Sequence, residues 1–427
     1  MGLFIGHNGH LGAVCLAVGL FVVTPGSVRA QVIDISQLSF QEFERIALNA
    51  DPVVARFRAQ ANVARERAMS ESQLPDPQVR IGVINVPVES FRFDEEAMTM
   101  KEIGFVQTFP AYGSLSNRAL ELGSMAEVEE AMAADRELMV LERVRAAWLE
   151  LYYQFEAVAL IQKTQKVFSE LVKVAEARYR QGRGRQQDLV SAQLQLSKLE
   201  DDVTSMELEK EVLMSELMRW LGAADVSRPT PVAFPTLPPL PSIEDVRSRL
   251  GGHPSLRAAD AQIEASRAGV EMARAMYRPM TMIDISYGQR DFEDMSDMMS
   301  AMVSFSVPLF TSSRQDPAVA ARRAEVEVAK ESLEDRRREL QEMLESNYRR
   351  WQRLNERVAR YEKEVVPFSN QYSQATLTAY QANVSDFEDQ VEARMGELEN
   401  ALTALRLKVD RAKTHATLLY IAGDRAL

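Results

Sequence analysis

Residues 179–193, YRQGRGRQQDLVSAQ, and residues 380–394, YQANVSDFEDQVEAR, are two copies of one short pattern. In each copy a tyrosine is followed by glycine or asparagine after three residues, by aspartate after nine and by alanine after thirteen. The copies lie about two hundred residues apart, which is too far for a solenoid unit. The repeat therefore predicts that the two halves of the chain share one architecture.

Two further matches give the order of elements within each half. Each half has a proline that can begin a helix and a second proline 25 residues later, namely Pro52 and Pro77 in the first half and Pro254 and Pro279 in the second. Each half also has one hydrophobic residue followed by proline, Phe109-Pro110 and Val307-Pro308. Each half is predicted to run through a helix, a β-hairpin, a long helix, a turn and a second long helix. We assign a first repeat at 31–225, a Pro-rich linker at 226–243 and a second repeat at 244–427.

Composition favours long helices and argues against several classes of function. The chain has 427 residues, of which 26% are charged and 7% aromatic, and few glycines. A formal net charge of −12 without a basic patch argues against a nucleic-acid partner. The only cysteine, Cys15, lies in an apolar stretch, 11–23, that precedes a small-residue cleavage pattern ending at Ala30. Residues 1–30 are therefore predicted to be an export signal, although Met1 to His10 lack the usual basic residues.

Hydrophobic spacing predicts coiled-coil helices. Apolar residues three and four apart run through 117–180 and 317–365, and the C-terminal segment carries two seven-residue rows, one from Val391 to Leu419 and one from Met395 to Ala416. Helices of about sixty residues would reach roughly 90 Å. They should pair antiparallel, with turns near Gly182 and Asn383, because these two residue types best tolerate the left-handed conformation that ends a helix.

Alternating apolar and polar residues predict two β-hairpins, at 78–109 and 280–309. Strands of nine or ten residues suit a tilted passage through a bilayer. Four strands cannot close a barrel, so a barrel would need strands from several chains. The alternative is a small sheet packed on the helical core with its polar face in water. Between the halves, the run of prolines predicts an extended linker along the outside of the helical body.

This arrangement resembles the TolC-like outer-membrane efflux factors over nearly all of the mature chain. The most specific marks are Tyr179-x-x-Gly182, its copy at Tyr380, and the stretch 305–310 that leaves the second hairpin. The resemblance implies a mainly α chain that forms a homotrimer, with a trimeric α-barrel and four strands per chain in one twelve-stranded transmembrane β-barrel. Residues 304–316 look closest to the CusC/CzcC-like branch, which serves heavy-metal efflux. Asn383 departs from the glycine that is usual in the family.

The resemblance also implies what the protein does and where. It would be a passive duct in the outer membrane of a Gram-negative bacterium, embedded in outer-membrane lipid and extending into the periplasm. Its partners would be a periplasmic membrane-fusion adaptor and an inner-membrane, proton-driven pump. We find no phosphate-binding loop, no His/Cys cluster and no nucleophile with a placed base, so we predict neither enzymatic activity, catalytic residues nor a cofactor.

The two turns are the predicted site of adaptor contact. The residues assigned to it are Tyr179, Gly182, Arg183, Arg185, Asp188, Tyr380, Asn383 and Asp389. The first turn is basic and the second is acidic, so ion pairs between Arg183 or Arg185 and Asp386, Glu388 or Asp389 could hold a closed state. The alternative is that each charge is a solvated helix end, since exposed pairs often contribute less than about 1 kcal/mol.

Methionines near the hairpin loops suggest a second, weaker candidate site. They are Met98, Met100, Met295, Met298, Met299 and Met302. Thioether sulfur is a soft ligand suited to Cu(I), but methionine more often fills gaps in apolar packing.

Three rival functions remain open on the sequence. The duct could export drugs or, in type I secretion, proteins. A periplasmic coiled-coil scaffold without a barrel would be soluble without detergent. An adaptor protein would carry one helical hairpin, and the two tandem hairpins here argue against it.

Overall fold

The structure is a computed structural model that describes residues 39–222, 233–382 and 384–424. The predicted export signal, the first part of the linker and Asn383 lie outside the described residues. None of the helices within the described ranges combines the length and hydropathy that a membrane-spanning helix requires.

The first half follows the predicted order. It comprises α1 (Phe40–Ala50), α2 (Pro52–Ser70), β1 (Gln78–Ile84), β2 (Met100–Phe109), α3 (Ser114–Arg180) and α4 (Gln186–Leu221). Ser39 and Glu42 form a capping box at the start of α1. Asp51 caps α2 by accepting hydrogen bonds from the N–H groups of Val53 and Val54, and Pro52 occupies the first turn, where its missing N–H costs nothing.

The second half repeats this order with a break in its long helix. It comprises α5 (Ile243–Arg249), α6 (Pro254–Ala275), β3 (Thr281–Gln289), β4 (Met298–Phe305), α7 (Gln315–Arg360), α8 (Val366–Gln381) and α9 (Phe387–Ile421). A π-helical segment, Tyr361–Val365, joins α7 to α8. Pro367, in the first turn of α8, cannot donate a backbone hydrogen bond, which accounts for the break at this place. In the first half, α3 runs unbroken for 67 residues, about 100 Å.

The long helices form a single layer whose order is α4, α3, α9 and then α7 with α8. The predicted seven-residue rows of α9 are largely buried, including Leu398, Val409 and Leu419. On α3, Val144, Trp148 and Leu151 are buried in one cluster with residues of α1 and α4. The layer therefore packs along the predicted seams, and its outer members, α4 on one side and α7 with α8 on the other, are its two edges.

The described part of the linker lies across this layer. Phe234 packs edge-on against Tyr152 of α3 at 5.3 Å between ring centroids, and Lys408 of α9 lies over the Phe234 ring. Tyr152 is 28 residues before the end of α3, or about 42 Å from the turn. The linker thus crosses the helices well away from either end.

The four strands form one antiparallel sheet in the order β1-β2-β3-β4. Its central pairing, β2 with β3, joins the two halves of the chain, with Phe105 opposite Ile285. One face is apolar and open to solvent, with side chains 42–79% exposed at Val79, Ile81, Ile103, Phe105, Ile285, Tyr287, Val303 and Phe305. The alternative of a sheet packed on the helical core is therefore wrong, because this apolar face has no helix over it in the described chain.

Candidate functional site at the helical turns

The first turn is built by Gly182. After α3 ends, Gly182 adopts the left-handed conformation with φ +66°, and the N–H groups of Arg183 and Gly184 both donate to the carbonyl of Arg178. At the start of α4, the N–H of Arg185 donates to the Asp188 carboxylate at 3.4 Å. Asp188 therefore stabilises the beginning of α4, which gives this predicted site residue a structural role.

The second turn repeats this geometry. The N–H groups of Val384 and Ser385 donate to the carbonyl of Ala379, the residue equivalent to Arg178. The N–H of Asp386 donates to the Asp389 carboxylate at 3.2 Å. Asp389 is thus the counterpart of Asp188 and stabilises the start of α9 in the same way.

The two turns of one chain lie side by side. The guanidinium carbon of Arg178 is 4.5 Å from the centroid of the Tyr380 ring, and Tyr380 packs against Phe387 at 5.7 Å between centroids. Tyr380 is 8% exposed, and burial of its hydroxyl raises its pKa above the ordinary value of 10. A cation over an aromatic face attracts it, so this contact holds the turns together.

A polar cavity of about 190 Å³ lies between the turns. Five predicted site residues line it, namely Arg183, Arg185, Asp188, Tyr380 and Asp386. Five further residues that were not predicted also line it, namely Ala175, Arg178, Gly184, Ser385 and Phe387. Among the described residues, no ion pair within 4 Å joins Arg183 or Arg185 to an acidic residue of the second turn. The predicted ion pairs between the turns therefore stay a prediction.

The remaining predicted residues lie around this cavity. Tyr179 is 44% exposed, and Glu388 is exposed in the first turn of α9. The repeat gives no signal for Arg178 or Phe387, because most aligned positions of the two copies differ: Arg178 aligns with Ala379, and Phe387 with Gln186. The contact between the turns depends on how the two hairpins pack.

Both edges of the helical layer expose an apolar row. On α4 the row contains Val190, Leu194, Leu208 and Val212, each 53–60% exposed. On α8 it contains Phe368 and Tyr372, 64% and 60% exposed, and the exposed Ala375. Spacings of three and four on α8, and of four and fourteen on α4, place each row on one face of its helix. Neither row is covered by the described part of this chain.

The sheet likewise has an open edge on each side and two unlike faces. Opposite the apolar face, Arg80 of β1 pairs with Glu102 of β2 at 2.6 Å and with Asp284 of β3 at 2.9 Å. This cluster ties three strands together on the polar face. Within the described residues, no three His, Cys, Asp or Glu side chains gather closely enough to hold a metal ion.

Comparisons with known proteins identify this architecture. Residues 246–424 match a family model described as outer membrane efflux protein. Similar solved structures include CusC (14% identity, 92% of this chain and 93% of that chain, TM-score 0.76) and the outer membrane protein VceC of Vibrio cholerae (16%, 90% and 96%, 0.75). A third is the open state of the outer-membrane channel MtrE of Neisseria gonorrhoeae (17%, 90% and 89%, 0.75).

No curated protein matches the chain. At these identities the solved structures establish the fold. They confirm the predicted fold class of long helices with one four-stranded sheet, and with the family model they support the resemblance stated from the sequence.

Proposed function

We infer that this chain, a TolC-like protein by its fold and by the family match of its second half, is the outer-membrane channel of a tripartite efflux system. The observation that carries the proposal is a four-stranded sheet with an exposed apolar face, placed at one end of a helical layer about 100 Å long. Such a face is stable in lipid and a liability in water. The chain is proposed to act as a duct and not as an enzyme.

The assembly we propose is a homotrimer. The helical layer ends in α4 on one side and α7 with α8 on the other, and each edge exposes its own apolar row. A head-to-tail contact between unlike edges forms a closed ring when the rotation closes. The sheet has the same property, since β1 and β4 are both open edges. Three copies would then give a ring of helices and one twelve-stranded barrel, which exceeds the roughly eight strands needed to enclose an interior.

The helical turns are proposed as the contact with a periplasmic adaptor, which couples the channel to an inner-membrane, proton-driven pump. They lie at the end of the layer farthest from the sheet, α3 running unbroken between the two. Their exposed charges, basic on one turn and acidic on the other, offer a partner polar groups that the chain itself leaves without an ion pair in the described residues.

The closed state is proposed to involve ion pairs between Arg183 or Arg185 and the acidic residues of the second turn. Arg183, Arg185 and Asp386 already face one cavity. Single-channel recordings in planar bilayers test this. Arg183→Ala and Asp386→Ala should each raise the open probability. Arg180→Ala should not, because within the described residues it removes a charge whose ion pair is with Glu176 of its own helix. If both cavity variants conduct like the parent, the turns carry no such latch.

The exported compound is proposed to be a heavy-metal cation, on the likeness of residues 304–316 to the CusC/CzcC-like branch. Drugs and secreted proteins are the alternatives. Growth of a deletion strain in the presence of silver or of drugs distinguishes these substrates. Increased sensitivity to silver alone supports the proposal, and increased sensitivity to drugs alone contradicts it.

Cell fractionation tests the main proposal against a periplasmic scaffold. The channel should sediment with outer-membrane vesicles and require detergent for extraction, because its exposed apolar face needs lipid or detergent around it. A chain recovered in the periplasmic fraction without detergent would contradict the proposal and favour the scaffold.

A further inference from the structure

The polar face of the sheet carries an unexpected set of methionines. Residues directly paired across antiparallel strands share a face, and so do residues two apart on one strand. By this register Met100, Met282, Met298 and Met302 lie on the same face as Arg80, Glu102 and Asp284, whereas Met299 lies on the apolar face opposite Tyr287. Met98 and Met295 belong to the connecting loops. The structure thus separates the loop-region methionines of the sequence analysis and adds Met282.

Met100 and Met298 lie on the two strands either side of Gly288. They lie on β2 and β4, about 10 Å apart with one strand between them. The intervening residue, Gly288, has no side chain, and the sulfur of Met100 lies 2.6 Å from the place that a Cβ of residue 288 would occupy. Met298 is the partner of Gly288 on the other side. The missing side chain therefore leaves room for the Met100 thioether over β3, the strand that separates it from Met298, on the face that also carries Glu102.

Met282 and Met302 form a second pair further along the face. Met302 is the register partner of Asp284, so Met282 is its diagonal neighbour on the adjacent strand. Such neighbours are about 7–8 Å apart, within the reach of two long side chains. This pair also has a carboxylate beside it, that of Asp284. The polar face thus repeats one combination, two thioethers and an acidic side chain, at two levels.

Packing does not account for these methionines. Met282, Met298 and Met302 are 37%, 39% and 62% exposed, so they fill no gap in a core of the described chain. Methionines that served contact with lipid would be expected on the apolar face, where only Met299 among these five lies. Neither core packing nor lipid contact therefore explains the exposed methionines of the polar face.

We propose that the polar face of the sheet binds soft monovalent metal ions, of the class of Cu(I) and Ag(I), through the Met100–Met298 and Met282–Met302 pairs. Thioether sulfur selects soft cations, and the nearby Glu102 and Asp284 carboxylates, which both pair with Arg80, leave one net negative charge beside the methionines. Two weak, successive sites allow an ion to enter and leave, as conduction requires. This inference rests on the proposed function, in which the polar face lines the exit of the channel.

Silver binding to the full-length protein in detergent tests the proposal. The probe is silver nitrate in chloride-free buffer, titrated calorimetrically into the parent and into a variant with Met100, Met282, Met298 and Met302 all changed to leucine. Leucine keeps the volume and apolar character but removes the sulfur. The matched control is Met299→Leu, which removes a sulfur from the opposite face. The quadruple variant should bind Ag(I) at least tenfold more weakly, and the control should bind like the parent.

Two results would overturn the proposal: silver binding by the quadruple variant within twofold of the parent, or an equal loss in Met299→Leu. Cell fractionation and native mass spectrometry of the same samples distinguish failure of the metal site from failure of the proposed channel. If the protein is a trimer extracted from the outer membrane and its affinity for silver is unchanged by the four substitutions, the metal site is refuted and the channel proposal is not. A chain found outside the membrane refutes the channel, whatever silver does.

Discussion

Single buried or half-buried side chains join helices that lie far apart in the sequence, within one half of the chain or between the two halves. Arg145 of α3 and Glu44 of α1 are each 1% exposed and pair at 2.5 Å. The Tyr420 hydroxyl donates to Asp135 and accepts from Arg336, linking three helices from both halves. None of these partners could be chosen from the sequence, because they are 84 to 285 residues apart and follow no repeat.

The half-buried Glu150 should make stability depend on acid. Burial alone would raise its pKa, but hydrogen bonds from Arg406 and Lys413 outweigh burial and lower the pKa from 4.5 to about 2. Because the folded pKa lies below the unfolded one, the stabilisation is complete above pH 4.5 and is lost as the pH falls toward 2. Glu150→Gln should cost about 1–3 kcal/mol at pH 7 and little at pH 2.

Chemical denaturation of the detergent-solubilised protein at a series of pH values checks this. The matched control is Glu207→Gln at an exposed position of α4, which should change stability equally little at every pH. A Glu150→Gln variant with the parent's pH profile would contradict the assignment.

Arg178 is predicted to restrain opening at the turns. Its contact with the Tyr380 ring joins the two hairpins of one chain. A cation over an aromatic ring contributes roughly 0.5–1 kcal/mol at a partly exposed site, so Arg178→Ala should raise the open-to-closed ratio about two- to fivefold. Single-channel recording measures that ratio. Unchanged gating, with Tyr380 still buried as judged by its fluorescence, would show that the contact is structural only.

At the scale of elements, the predictions from sequence were most successful where spacing alone decides. The seven-residue rows of α9 and the alternation of β1 to β4 place residues correctly because a helix and a strand each have a fixed period. The break between α7 and α8 was not predicted, although Pro367 marks it, because the apolar spacing continues through it. The pairing of Arg178 with Tyr380 was missed because it depends on how two hairpins meet.

The first turn should depend on glycine at position 182. Its φ of +66° would cost a residue with a Cβ roughly 1–2 kcal/mol. Gly182→Ala should therefore lower the free energy of unfolding by about that amount. In Gly396→Ala the new Cβ meets nothing within 4 Å inside a regular helix, so this control should stabilise by about 0.5–1 kcal/mol. Equal effects of the two substitutions in denaturation experiments would contradict the turn geometry.

At the scale of the whole molecule, we propose that the chain is one segment of a ring. Its helical layer and its sheet each have two open edges, and the apolar rows on α4 and α8 face away from the chain's own core. The repeat in the sequence predicts two similar halves, but it does not reveal which helices become edges, since that follows from how the halves pack. The number of chains in the ring comes from the family resemblance.

The edge row on α4 should be needed for assembly. Leu194→Glu places a charge in the proposed contact between chains, where burying it unpaired is costly, and should convert trimers to monomers. Gln193→Glu adds the same charge to the neighbouring exposed position outside the row and should leave the trimer intact. Size-exclusion chromatography with light scattering distinguishes the two outcomes; dissociation by both variants, or by neither, would argue against this edge as the interface.

Native mass spectrometry of the protein extracted from outer membranes in detergent tests the central claim most directly. The account predicts a complex of three chains that persists in detergent and dissociates on heating. A single chain, or a complex stable in buffer without detergent, would contradict an outer-membrane channel built from three copies of this chain.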